Sequence, residues 1–202
     1  TEAIDKLHTT AESHHRIMIV EVMGRDAGWL ALDAGLAGGA DVILIPEIPF
    51  SLEAIRHKIE AREQEGAKFS IIVVAEGARP AGGEQIYQGS SDPLAPKRLG
   101  GIGQWVAARI CEILDREVRT TVLGHIQRGG KPSAFDRKLG TWFGSEAVEL
   151  VARGAWGQMV ALRGEQIVSV PVADAVKVLK TVPLDGHRVR TARAMGLCLG
   201  EQ

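Results

Sequence analysis

Residues 16–39, RIMIVEVMGRDAGWLALDAGLAGG, constrain the fold more than any other stretch. Ile17, Met18, Ile19, Val20 and Val22 form an apolar run broken only by Glu21, short and β-branched enough to be a strand buried on both faces. A helix is expected almost at once, over 27–37, where Trp29, Leu30, Leu32 and Leu36 recur at helical spacing and Gly38-Gly39 supplies a stop. Between them lies the turn Met23-Gly24-Arg25-Asp26. Such a turn leaves N–H groups unpaired at a helix start, where the dipole favours negative charge. Arg25 stands beside them, with a planar fork suited to two oxygens of a phosphate or carboxylate. The turn is therefore a candidate anion site, the competing reading being a surface Arg25 paired with Asp26.

The same alternation continues along the chain. A helix is expected over 2–12, a strand over 41–45, and a helix capped by Ser51 and stopped by Gly66. Its charged face, with Arg56, Lys58, Glu60, Arg62 and Glu63, reads as solvated surface. SIIVVA at 70–75 is a third buried strand, followed by a long polar segment, 78–101, of the kind that forms lids or binding loops. A helix over 104–115 leads to a fourth strand over 119–123. This order predicts a three-layer α/β fold, a mostly parallel sheet with helices on both faces. Beyond it a helix is expected over 135–151, then strands at 158–162 and 167–172 forming a hairpin or a short sheet extension. His187, Arg188, Arg190 and Arg193 in the tail read as a solvated or helix-end surface.

In parallel sheets ligands sit outside the carboxyl ends of the strands. That rule selects Met23-Gly24-Arg25, Pro46-Glu47, Glu76-Gly77 and the glycine-flanked loop GHIQRGG at 124–130. Arg25, Arg128, His125 and at least one carboxylate would share one rim. Alone, His125 reads as a structural histidine, and Glu76 could as well hold an arginine as touch a ligand.

The chain has 202 residues, 45% hydrophobic and 24% charged, enough to bury a sizeable core. A net charge of −1 argues against binding nucleic acid by phosphate neutralisation, and no segment reaches membrane-spanning length or resembles a signal peptide. Cys111 and Cys198 have no metal-site spacing, and Cys111 lies in an apolar helical pattern that predicts a buried thiol. A reducing cytoplasmic setting is expected. No Walker sequence, H-E-x-x-H or nucleophile elbow is present. The start at Thr1, within a helical pattern, suggests a fragment.

VEVMGRDAGWLAL, IPE at 45–47, AEG at 75–77 and above all TVLGHIQRGGKPSAFDR at 121–137 resemble the 6-phosphofructokinases, in order and with the family's spacing, over about residues 1–178. The resemblance implies a Rossmann-like half of the phosphofructokinase fold. It implies Mg²⁺-assisted phosphoryl transfer from ATP or pyrophosphate to the 1-hydroxyl of fructose 6-phosphate, in glycolysis. By motif match, Met23, Gly24 and Arg25 would be substrate contacts, Glu76 the carboxylate on the sugar hydroxyls, and His125 and Arg128 ligands of the 6-phosphate. Arg16 and Arg119 match arginines that reach this phosphate from a neighbouring subunit, which implies a homodimer or homotetramer.

The family's catalytic aspartate motif and glycine-rich donor loop do not occur in this sequence. The resemblance therefore covers the sugar-phosphate side only, with no catalytic or metal residue, and the chain alone is expected to be inactive. Residues 1–128 would form the sugar-phosphate-binding domain, 129–177 a helix and strands packing on the missing donor domain, and 178–202 a tail returning to the first domain. The Phe135, Leu139, Trp142, Phe143 face would then lack cover. The 78–101 insertion looks more like the pyrophosphate-dependent or mixed-specificity branch. His8 stands where regulated relatives carry an effector-site arginine, while Asp41 and Lys68 could match effector or metal contacts. The alternative function is a non-catalytic sugar-phosphate-binding or regulatory module.

Overall fold

The expected alternation folds as α1 (Glu2–His14), β1 (Ile17–Val22), α2 (Trp29–Ala37), β2 (Val42–Leu44), α3 (Leu52–Gln64) and β3 (Ser70–Ala75). Next come two short strands, β4 (Tyr87–Gln88) and β5 (Arg98–Leu99), then α4 (Ile102–Leu114), β6 (Val118–Val122) and a 3₁₀ turn, Gly124–Arg128. The chain ends with α5 (Ala134–Ala152), β7 (Gln158–Arg163), β8 (Gln166–Pro171), α6 (Val172–Ala175) and α7 (His187–Ala194). This computed structural model describes residues 1–14, 16–88 and 98–201. The middle of the long polar segment, 89–97, lies outside them. The chain forms two units, one of Thr1–Gln127 with Thr181–Gln202 and one of Arg128–Lys180.

In the first unit the sheet order is β2-β3-β1-β6, every neighbouring pair parallel, with Val20 between Val73 and Thr121. Alternate residues of β1 supply two cores. Met18, Val20 and Val22 pack with Ile4, Leu32 and Val189 from α1, α2 and α7. Ile17 and Ile19 pack with Ile55 and Ile59 of α3 and Ile102, Val106 and Ile110 of α4. The fold is thus α/β in three layers, helices covering both faces of a parallel sheet. Because β1 is followed by α2 on one face and β3 by α4 on the other, their carboxyl ends flank a crevice of the kind in which α/β proteins place ligands.

Glu21 has the parity of Ile17 and Ile19 and so points toward α4, buried to 3% exposure. Its Oε1 accepts from the Gly101 N–H at 3.2 Å and its Oε2 from the Gly103 N–H at 2.8 Å. Gly101 adopts φ 87°, open to glycine at little cost. This carboxylate cap starts α4 at Ile102, two residues before the apolar pattern suggests. The thiol of Cys111 is exposed, contrary to the sequence expectation, because the buried stripe of α4 runs through Ile102, Gly103, Val106 and Ile110 and leaves Cys111 turned outward.

The two edges of the sheet differ. Along β2 the returning tail is bonded, Ile43 N–H to the Cys198 carbonyl at 2.9 Å and Cys198 N–H to the Asp41 carbonyl at 3.0 Å. Strand β6 is the other edge, with Val122 47% exposed.

In the second unit Ser133 and Asp136 form a reciprocal capping box at the start of α5. The strands β7 and β8 form an antiparallel hairpin through Gly164-Glu165. Phe135, Trp142 and Trp156 are 53%, 41% and 73% exposed.

Asp41 is buried in the first unit, its carboxylate accepting from the Ile71 N–H at 2.8 Å and pairing with Arg62 at 2.9 Å. Burial pushes this carboxyl above its ordinary value, and the Ile71 N–H and the charges of Arg62, Lys58 and His8 offset that only in part. The folded chain therefore holds the proton more tightly than the unfolded chain. Asp41's contribution to stability is complete below the ordinary aspartate value of 3.8 and is lost as pH rises through the folded value. Urea midpoints taken across the acid range should show wild type losing stability relative to Asp41→Asn as pH rises; a constant difference would contradict this.

Candidate functional site

The carboxyl ends of β3, β1 and β6 are drawn together by backbone groups that the strand ladders no longer pair. Glu76 N–H donates to the Val22 carbonyl at 2.8 Å, Gly77 N–H to the Gly24 carbonyl at 2.9 Å, and Gly24 N–H meets Glu76 Oε1 at 3.5 Å. On the other side Leu123 N–H donates to the Glu21 carbonyl at 3.0 Å and Met23 N–H to Gln127 Oε1 at 3.3 Å. Gln85 Nε2 donates to the carbonyls of Arg25 at 3.0 Å and Gly77 at 3.1 Å, clasping the two turns. The approach is closest at Gly77, where an added Cβ would stand 1.8 Å from the Arg25 carbonyl oxygen.

The first unit thus brings Met23, Gly24, Arg25, Glu76 and His125 to the ends of three adjacent strands. Arg128 closes the 3₁₀ turn and opens the second unit. Met23, Gly24 and Glu76 are half-buried; Arg25, His125 and Arg128 are exposed. No ion pair joins Arg25 to Asp26 among the described residues, nor does one engage His125 or Arg128. Arginines without an internal counter-ion are free to bind an external anion, and a half-buried carboxylate beside them can accept from hydroxyl groups.

The helix start itself differs from the sequence expectation. α2 begins at Trp29, and both oxygens of Glu47 lie 3.1 Å from the Gly28 N–H. Glu47 Oε1 also accepts from the Val182 N–H at 2.7 Å. The anion at this N-terminus is therefore the protein's own carboxylate.

Arg16 and Arg119 lie at the amino ends of β1 and β6, the opposite end of the parallel sheet from the Arg25 turn. Both engage the Glu117 carboxylate, Arg16 Nε at 2.7 Å from Oε2. His8 Nε2 sits 2.7 Å from the Gly38 carbonyl oxygen, Asp41 is committed to Ile71 and Arg62, and Lys68 is exposed. A cleft of about 430 Å³, lined by Asp26, Pro46, Arg79, Glu84, Gln85 and Tyr87, opens at the same strand ends as Arg25. Among the described residues no three His, Cys, Asp or Glu side chains converge as a metal site would require.

Sequence reading missed the roles of Glu21, Glu47, Gln85 and Gln127. Glu21 left a signal, a lone charge within a buried strand. Gln127 lay inside the loop that carries His125 and Arg128 and drew no notice beside them.

These features define an α/β unit that gathers Arg25, Glu76 and His125 at the carboxyl ends of a parallel sheet. Residues 1–151 match the Phosphofructokinase family profile, and the chain belongs to that family. It is 56% identical over 202 residues to the ATP-dependent 6-phosphofructokinase of Chloroflexus aurantiacus, covering all of this chain and 55% of the relative. It is 57% identical over 184 residues to the pyrophosphate–fructose 6-phosphate 1-phosphotransferase of Amycolatopsis methanolica, covering 91% of this chain and 54% of that protein. The phosphofructokinase structure from Saccharomyces cerevisiae superposes with a TM-score of 0.70 at 33% identity, over 87% of this chain and 22% of that one. The chain thus spans little more than half the length of the curated relatives it matches.

Because the Arg25 and Gly77 turns touch without room for a methyl group, Gly77→Ala must push them apart. It should destabilise the chain by at least about 2 kcal/mol in urea titration. A cost below about 0.5 kcal/mol would show that the turns are not in contact.

Proposed function

We propose that this chain supplies the fructose 6-phosphate side of a phosphoryl transfer from ATP or pyrophosphate to the sugar's 1-hydroxyl, giving fructose 1,6-bisphosphate. The observation that carries this reading is the gathering of Arg25, Glu76 and His125 at three adjacent strand ends, with Arg128 next in the chain after Gln127. In this role Arg25, His125 and Arg128 bind the sugar phosphate, and Glu76 accepts from the sugar hydroxyls. Met23 and Gly24 let the backbone come close to the substrate. Fixing the phosphate end fixes where the 1-hydroxyl lies, which is the main contribution a protein makes to this chemistry.

Mg²⁺ would neutralise charge on the donor phosphates, and it belongs in this proposal with the part of the relatives that the chain does not span. The exposed Phe135 and Trp142 on α5 support the reading that this missing part covers the second unit. Relatives named for ATP and for pyrophosphate match at 56% and 57% identity, so both donors belong in this proposal.

Arg16 and Arg119 lie away from their own rim, which supports their serving a second copy in a homodimer or homotetramer. A cytoplasmic location fits the glycolytic names of the relatives, and no described helix is long and apolar enough to cross a membrane.

Calorimetric titration of the chain with fructose 6-phosphate tests the proposal. Arg128→Ala should weaken binding at least about tenfold, the loss expected for a charge-assisted bond to phosphate. Affinity should rise with protein concentration if Arg16 and Arg119 complete the site across copies. A coupled assay on the chain alone should detect no product. Binding unchanged by Arg128→Ala, or turnover without the missing part, would contradict the proposal.

A further inference from the structure

We infer that Gln127 and Glu47 are positioning residues that hold the two ends of the Arg25 turn and so set its affinity for phosphate. This rests on the functional reading above.

Residues 23–28 connect a strand paired on both sides to a helix that buries Ala31, Leu32 and Gly35. The last ladder pairs of β1 are Glu21 with Val122 and Val22 with Ala75. Beyond them, the Met23 N–H donates to Gln127 Oε1 at 3.3 Å. Gln127 turns its Nε2 back to the Gly124 carbonyl at 3.1 Å, so the same amide also fixes the turn that carries His125. At the far end the Gly28 N–H lies 3.1 Å from both oxygens of Glu47. Gly28 is pressed against Ile45, the residue after β2, since a Cβ there would stand 2.3 Å from the Ile45 Cβ. Both amide atoms of Gln127 and both oxygens of Glu47 are committed to main-chain groups, so neither side chain is spent on a ligand.

The sequence positions of these bonds strengthen the inference. The first unit ends at Gln127 and resumes at Thr181, one residue before the Val182 N–H that Glu47 also accepts at 2.7 Å. Each passage of the chain out of and into the first unit is thus fastened, within a residue or two, to one end of the turn bearing Arg25. Between these points Arg25 is exposed and without an ion pair among the described residues. An arginine on a turn pinned at both ends loses little backbone freedom when it binds an anion. On a free turn the ordering cost falls on binding, and each residue left to be ordered weakens binding by on the order of tenfold.

The test uses the whole chain, with amide hydrogen exchange read residue by residue by NMR without ligand, followed by calorimetry with fructose 6-phosphate. Gln127→Met, of similar size but without the amide, should speed exchange at Met23 at least about tenfold and leave Gly28 unchanged. Glu47→Gln, which removes the charge and one acceptor, should act on Gly28 and leave Met23 unchanged. Each should weaken sugar-phosphate binding about tenfold, with the thermal midpoint lowered by only the few degrees that one lost hydrogen bond costs.

Gln127→Glu keeps the acceptor for Met23 and should restore its protection, which a merely space-filling role would not do. It also supplies a second reading if Gln127→Met fails to fold. Unchanged exchange at Met23 and Gly28 overturns the inference whatever the ligand does. So does faster exchange with unchanged affinity. A wild-type chain that binds no sugar phosphate overturns the functional reading instead, and the exchange data then decide the clamp by themselves.

Discussion

A backbone N–H just past a strand end or in the first turn of a helix has no ladder or helix partner, so another group must reach it where water does not. The architecture of the first unit follows from how that demand is met at β1 and β3. Glu21 accepts from the start of α4, Glu47 from the start of α2, Glu76 from Gly24, and Gln127 from Met23. Each bond joins elements far apart in sequence. Together they place three loops at one rim without spending the exposed side chains of Arg25 and His125 on internal ion pairs.

This division of labour separates building groups from binding groups. Carboxylates and amides close to the sheet are consumed by main-chain donors and acceptors, and Arg25, His125 and Arg128 farther out are left without an ion pair among the described residues. The start of α2 illustrates the distinction. A helix N-terminus looks available in sequence, yet here Glu47 occupies it, and the charge offered outward is the side chain of Arg25. At the opposite end of the sheet Arg16 and Arg119 share Glu117, which holds both side chains beside the exposed β6 edge.

Much of this was legible in the sequence because it depends on local pattern. The β-branched runs gave β1 and β3, Ser51 marked the start of α3, and strand-end logic picked out the loops that carry Arg25, Glu76 and His125. What escaped is long-range. The start of α4 is set by Glu21, some eighty residues earlier in the chain. The burial of α4 depends on which stripe faces Ile17 and Ile19, so Cys111 ended outside although its neighbour Ile110 is fully buried. The pairing of β4 with β5 spans residues too polar to announce a strand. Gln127 carries no charge and no periodicity, and its role appears only when Met23 is seen beside it.

The most direct test of a sugar-phosphate rim is to follow backbone amide resonances of the chain as fructose 6-phosphate is added. A rim at the ends of β1, β3 and β6 predicts that the largest shifts fall on Gly24, Arg25, Glu76, Gly77 and His125. It also predicts that Arg16 and Arg119 respond only at concentrations where copies associate. Shifts centred elsewhere, for example on the Arg79 and Tyr87 cleft, or no saturable shifts at any concentration, would contradict it.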